Sequence, residues 1–169
     1  MTLPFDVTWS NQKNVATVDM ERVDGIYYFN SKGERFQDLS SISYQSHFGF
    51  NPKEIRDEMK RALDLIPVAS PKAIYPEKIK ITEELLSYMG KKDGKIFYTT
   101  SGAESIENAL KLARQLTQKK IILARSNSYH GASMGALTVT GDWRNPPHLL
   151  PRDWVVRIPE PTEDNALEK

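Results

Sequence analysis

Between Lys95 and Gly141 two apolar stretches alternate with two loops of small and hydroxyl residues, and a helical repeat lies between them. Lys95 to Thr99 has the aromatic and β-branched content of a short buried strand and leads into Thr100-Ser101-Gly102-Ala103. From Ala103 onward Ile106, Ala109, Leu110, Ala113 and Leu116 recur at helical spacing, while Glu104, Glu107, Lys111, Arg114 and Gln118 take the other face. Lys120 to Arg125 is a second compact apolar strand. Strand, tight loop, helix and strand in that order make one right-handed crossover of a parallel sheet. The spacing therefore predicts an α/β fold whose loops fall at the carboxyl ends of parallel strands, where open α/β sheets bind ligands.

The first loop carries definite chemistry. Thr100 or Ser101 is placed to cap the helix, with Glu104 or Glu107 in the first turn. The first N–H groups of a helix have no partner within it, and the helix dipole adds partial positive charge there, which suits phosphate. Gly102 allows an anion close to the backbone, Ala103 adds little bulk, and the two hydroxyls can donate as well. An ordinary capped helix without a ligand uses the same residues, so the second loop matters. It reads Ser126-Asn127-Ser128-Tyr129-His130-Gly131-Ala132-Ser133, setting an aromatic, an imidazole and a glycine before another short helical run.

Together, Thr-Ser-Gly-Ala-Glu at 100–104 and Ser-Tyr-His-Gly-Ala-Ser-Met-Gly-Ala-Leu-Thr-Val-Thr-Gly-Asp at 128–142 resemble the class III aminotransferases, which use pyridoxal phosphate (PLP). The resemblance implies a fold type I architecture. It implies that Ser101, Gly102 and Ala103 bind the cofactor phosphate through main-chain N–H groups and that Tyr129 stacks on the pyridine ring. His130 and Gly131 match the residues that follow, and His130 is assigned with the cofactor-binding set. The alternative for Tyr129 is a core aromatic at a strand end, and for His130 a structural hydrogen bond. Asp6 to Lys13 and Thr140 to Arg144 look like the branch that acts on amines or ω-amino acids with pyruvate as partner. Asp142 and Arg144 read as a surface pair and Trp9 as packing.

Upstream, a capped turn is expected around Thr8 to Lys13. Gly25 to Asn30 and Glu34 to Leu39 read as two strands joined by the hairpin turn Asn30-Ser31-Lys32-Gly33, which also matches the family. Asn51-Pro52 reads as a cap with proline at the first helical position, and Ile55, Met59, Ala62, Leu63 and Ile66 mark one face of the helix until Pro67 stops it. Tyr44 to Phe50 departs from the family, where a Gly-His…His-Pro sequence is common, and His47 reads as a surface or packing residue. A second helix is expected from Pro76 to Met89, closed by Gly90, with Ile79, Thr82, Leu86 and Met89 inward. After Gly141 come a proline-rich loop at 145–151, a strand-like Trp154 to Ile158, and a polar tail.

The resemblance implies an amino-terminal hairpin-and-helix segment, 1–66, followed by the start of an incomplete fold type I large domain with a mainly parallel sheet, 67–169. Transamination needs a Schiff-base lysine and a carboxylate facing the pyridine nitrogen. In the family both follow the second loop, in segments that do not occur here; Ser31-Lys32 lies in the hairpin turn, and no catalytic residue is assigned. The resemblance covers roughly the first two fifths of the family's usual length. A sheet of about three strands would leave an edge unpaired and a face uncovered, so something should complete it. The expectation is the cofactor-phosphate-binding part of an aminotransferase, passing an amino group from a small-molecule donor to a 2-oxo acid and completed by a homo-oligomer or a complementary carboxy-terminal chain. The alternatives are a non-catalytic PLP- or phosphate-binding module and an inactive truncated remnant.

Composition excludes several partners. With 169 residues at 39% hydrophobic and 27% charged, the chain is an ordinary globular protein, and a net charge of +1 gives no argument for nucleic acid or an acidic membrane. The absence of cysteine excludes disulfides, thiolate metal sites and cysteine nucleophiles, and no metal is expected. With neither a basic, apolar leader nor a run of membrane-spanning length, no membrane is expected and the cytoplasm is the default location.

Overall fold

The computed structural model describes residues 4–7, 10–143, 146, 151 and 153–161. The expectations for Thr8, Trp9 and Arg144, for most of the proline-rich loop and for the tail from Thr162 lie outside the described residues. The chain divides into two compact units, Met1–Ala73 and Ile74–Lys169.

In the first unit a one-turn helix at Gln12–Asn14, capped by Asn11, answers to the expected turn. Three short strands follow: β1, Arg22–Asp24; β2, Tyr27–Phe29; and β3, Arg35–Gln37. They form an antiparallel meander in the order β1-β2-β3. The expected hairpin is β2–β3, with Tyr28 opposite Phe36. Its turn is built by Asn30, whose Oδ1 accepts from the N–H groups of Lys32 at 3.1 Å and Glu34 at 2.9 Å. Sequence reading missed β1 and began the next strand too early, because Gly25 and Ile26 turn the chain between β1 and β2. Aromatic contacts stand in for a core here. The rings of Tyr28 and Phe36 stack at 5.1 Å, Phe50 meets Tyr28 edge-on at 6.3 Å, and the Arg22 guanidinium lies 3.6 Å from the centroid of the Phe29 ring. None of the described residues in this unit is buried.

A single turn, α1, Ser41–Tyr44, has positive φ at Ser41, Ile42 and Tyr44, so it is left-handed. Helix α2 is Lys53–Leu65. Here the expected cap fails: Asn51 Oδ1 accepts from Gly25 N–H at 2.9 Å instead of serving the helix, and Pro52 takes the cap position. The apolar face expected of α2 is present but uncovered, with Met59 at 64% and Leu63 at 61% exposure.

The second unit opens with α3, Pro76–Tyr88, which has proline at its start as expected and ends as Lys91 N–H bonds back to Leu86 O at 2.8 Å. Thr82 and Leu86 are half-buried, whereas Ile79 and Met89 are exposed. Lys95–Thr99 is not a strand, contrary to expectation. Its aromatic and β-branched residues favour extended backbone, but no neighbouring strand is present among the described residues to pair with it, and Phe97 is exposed. The expected crossover from that strand is therefore not formed among the described residues. The parallel pair is instead β4, Ile122–Arg125, with β5, Val155–Ile158, in the register Ile122 to Val155 through Arg125 to Ile158.

Helix α4, Gly102–Thr117, packs Ile106 and Leu110 against this pair, and the short helix α5, Met134–Val139, lies between β4 and β5 in sequence. Leu110, Ala124 and Val139 form the core, with Ile106, Ile122, Trp154 and Val155 packed around it. Alternation along the strands puts Ala124 inside and leaves Leu123, Val156 and Ile158 exposed. The Arg114 guanidinium lies 4.4 Å from the Trp154 ring centroid, closing the core at the far end of α4.

Candidate functional site: two loops at the start of α4

Ser101 is the N-cap of α4, extended at φ −154° and ψ 160°, and its Oγ accepts from Glu104 N–H at 3.2 Å. Glu104 reaches back to Thr100, accepting from its N–H at 2.9 Å and its hydroxyl at 2.8 Å. These two bonds are the main reason the Glu104 carboxyl lies below its ordinary pKa. The sequence Thr-Ser-Gly-Ala-Glu thus folds locally into a reciprocal cap. The cap leaves a definite set of donors over. Among the described residues the N–H groups of Ser101, Gly102 and Ala103 have no hydrogen-bond partner. The space beside Gly102 is open, with nothing within 4 Å of where a Cβ would stand.

The second loop lies against this point. Gly131 takes φ +128°, and a Cβ there would stand 2.6 Å from Ala103 Cβ, so only glycine lets the loop approach the first turn of α4 this closely. Two residues earlier, Tyr129 is 53% exposed. His130 donates its N–H to Thr140 Oγ1 at 2.9 Å, and Gly141 N–H bonds to Ser128 O at 2.7 Å, which closes the loop on itself. Partial burial, then the charges of Arg125 and Arg157, lower the His130 pKa below 6.5, so the imidazole is neutral at neutral pH.

Among the described residues, the two arginines whose charges act on His130 are already engaged. Arg125 pairs with Glu160 at 3.1 Å. Arg157 donates to the carbonyls of Val139, Thr138, Thr140 and Arg125 at 2.6 to 3.1 Å, capping the end of α5. The anion-binding capacity of the site therefore resides in main-chain N–H groups and the helix dipole. A phosphate fits here: three adjacent donors, a long helix behind them and an open approach. Among the described residues no group of acidic or histidine side chains could hold a metal ion, and no helix is long and apolar enough to cross a membrane.

Sequence reading missed Glu107, Arg157 and Thr140. Helical spacing alone puts Glu107 on the outer face of α4; in the structure it is half-buried and bonded to α5, because that short helix packs onto α4 and needs an acceptor. The available signal was Gly135 among small residues, which marks a close approach. For Arg157 the only available signal is that it is the one charge inside the apolar run Trp154 to Ile158.

The sequence model of the family described as aminotransferase class III matches residues 8–165. The chain is 35% identical over 135 residues to the aminotransferase PigE of Serratia sp., covering 77% of this chain and 16% of that protein. It is 30% identical over 133 residues to the acetylornithine aminotransferase of Archaeoglobus fulgidus, covering 79% of this chain and 34% of that protein. Among solved structures it is similar to taurine:2-oxoglutarate aminotransferase from Bifidobacterium kashiwanohense in complex with PLP and glutamate, with a TM-score of 0.81 and 30% identity, over 95% of this chain and 37% of that one. The chain spans well under half the length of each.

Proposed function

The chain belongs to the class III aminotransferases, and from that premise we propose that it is the cofactor-phosphate-binding part of an enzyme moving an amino group from an amine or ω-amino acid to a 2-oxo acid. The cofactor of the family is pyridoxal phosphate, and the fold is a fragment of the fold type I architecture. The observation that carries the reading is the row of three N–H groups, Ser101 to Ala103, that have no partner among the described residues, at the start of α4 with open space beside Gly102. They would hold the cofactor phosphate, and the α4 dipole favours its charge. Tyr129 offers an exposed ring for the flat face of the cofactor, and the neutral His130 stands next to it. When bound, the cofactor supplies an electron-withdrawing ring that carries charge as the amino group moves.

A further segment or a partner chain supplies the lysine that bonds to the cofactor and the carboxylate that faces its ring nitrogen. The exposed sheet face of Leu123, Val156 and Ile158 supports completion by additional structure. On this reading residues 1–66 are an amino-terminal segment, residues 67–169 begin the large domain, the assembly is an oligomer or a two-chain complex, and it works in the cytoplasm.

Equilibrium dialysis of the full chain against PLP tests the binding half of this proposal, and mixing with a chain that bears the lysine tests the catalytic half. Binding followed by amine-dependent turnover is expected. Binding without turnover makes the chain a non-catalytic module, and no binding makes it a remnant.

A further inference from the structure

We propose that Glu107 is a positioning residue: its carboxylate caps α5 from the flank of α4 and so fixes the loop of Tyr129 and His130 beside the N–H groups of Ser101, Gly102 and Ala103. What that loop contacts rests on the function proposed above; the role of Glu107 in holding it does not.

Helix α5 has six residues and cannot sustain itself, since its first N–H groups need acceptors from elsewhere. Its own N-cap, Ser133, makes no capping bond. Instead a single oxygen, Oε1 of Glu107, accepts from Ser133 Oγ at 2.6 Å, Gly135 N–H at 2.8 Å and Ala136 N–H at 3.1 Å. A Cβ at Gly135 would run into the same carboxylate, so glycine there is what admits it. Burial raises the pKa of Glu107, but these three bonds and the nearby Lys111 outweigh it, so the group is ionised.

The contact reaches the loop by a continuous path. Ala136 donates to Glu107 with its N–H and accepts from Thr140 Oγ1 at 2.8 Å with its carbonyl, and Thr140 Oγ1 in turn receives His130 N–H. Glu107 also lies one helical turn beyond Ala103, the residue against which Gly131 packs. Two contacts on one face of α4 thus hold the segment from Gly131 to Ala136 at both ends.

The test uses the full chain, its Glu107→Gln variant and, as a milder change should that variant unfold, Ser133→Ala. Amide hydrogen exchange is followed at His130, Gly135 and Ala136, and dissociation constants are measured for PLP and for inorganic phosphate. Glu107→Gln should speed exchange at Gly135 and Ala136 by about tenfold and at His130 by roughly threefold or more. It should weaken PLP by roughly fivefold while inorganic phosphate, held by Ser101 to Ala103 alone, stays within about twofold. Faster exchange confined to Gly135 and Ala136, or equal weakening of both ligands, overturns the proposal. If the unaltered chain binds no PLP, the proposed function fails, and the exchange rate at His130 still decides the role of Glu107.

Discussion

Helices α2 and α4 read alike in sequence, each a run of apolar residues at helical spacing with charges opposite, yet they end in different surroundings. Helix α4 places Leu110 in a core with Ala124 and Val139, whereas Met59 and Leu63 on α2 stand open. The difference lies in what each helix has to pack against. β4 and β5 present an apolar face to α4, and the arginine clamp of Arg157 keeps α5 in place beside it. In the amino-terminal unit the strands are three residues each and their aromatic rings pair with one another. An amphipathic stripe specifies that a face wants burial; only tertiary context supplies the partner. The candidate site sits in the unit that has one.

The largest effect expected from this contrast is in the core. Leu110→Ala should lower the unfolding free energy measured in urea by about 2–3 kcal/mol, against no more than about 0.5 kcal/mol for Met59→Ala. Equal losses would mean that the face of α2 is covered in solution. Arg157→Met, which removes the guanidinium that serves the carbonyls of Thr138, Val139 and Thr140 at the end of α5, should cost about 2 kcal/mol. By comparison, breaking the exposed Lys53 to Asp57 pair with Lys53→Met should cost at most about 0.5 kcal/mol.

Caps sharpen the same comparison at smaller scale. Ser101→Ala removes the cap of a sixteen-residue helix bearing the core and should cost about 1 kcal/mol, while Asn11→Ala, at a three-residue turn, should cost only a few tenths. The smallest effect is the pH dependence of His130. Its pKa is lowered in the fold, so the unfolded chain binds the proton more tightly and stability rises with pH across the interval between the two values. That contribution is present above pH 6.5 and is lost as pH falls through the lowered value. Melting curves of His130→Gln should show a weaker acid dependence than the unaltered chain, by roughly 1–2 °C.

Much of this was legible where the signal is local. Pro76, Ser101 and Gly90 mark helix ends because they act through the backbone of their own neighbours, and Asn30 to Gly33 makes its turn with its own side chain. The donors of Ser101 to Ala103 were legible for the same reason: a capped start leaves N–H groups over. What could not be read depends on partners far along the chain. Lys95–Thr99 has strand composition but no strand beside it among the described residues, Asn51 gives its oxygen to Gly25 rather than to α2, and Glu107 serves a helix nearly thirty residues on. In each case the residue type favoured one local use, and a distant contact decided another.

The assignment of the cofactor phosphate to the N–H groups of Ser101, Gly102 and Ala103 rests on the proposed function. Its most direct test is the phosphorus-31 resonance of PLP titrated with the full chain and with Gly102→Val, whose side chain enters the open space beside the loop. A shifted, saturating resonance is expected with the unaltered chain, and affinity at least about tenfold weaker in the variant, with the fold intact. An unshifted resonance, or one that titrates identically with both chains, would contradict it.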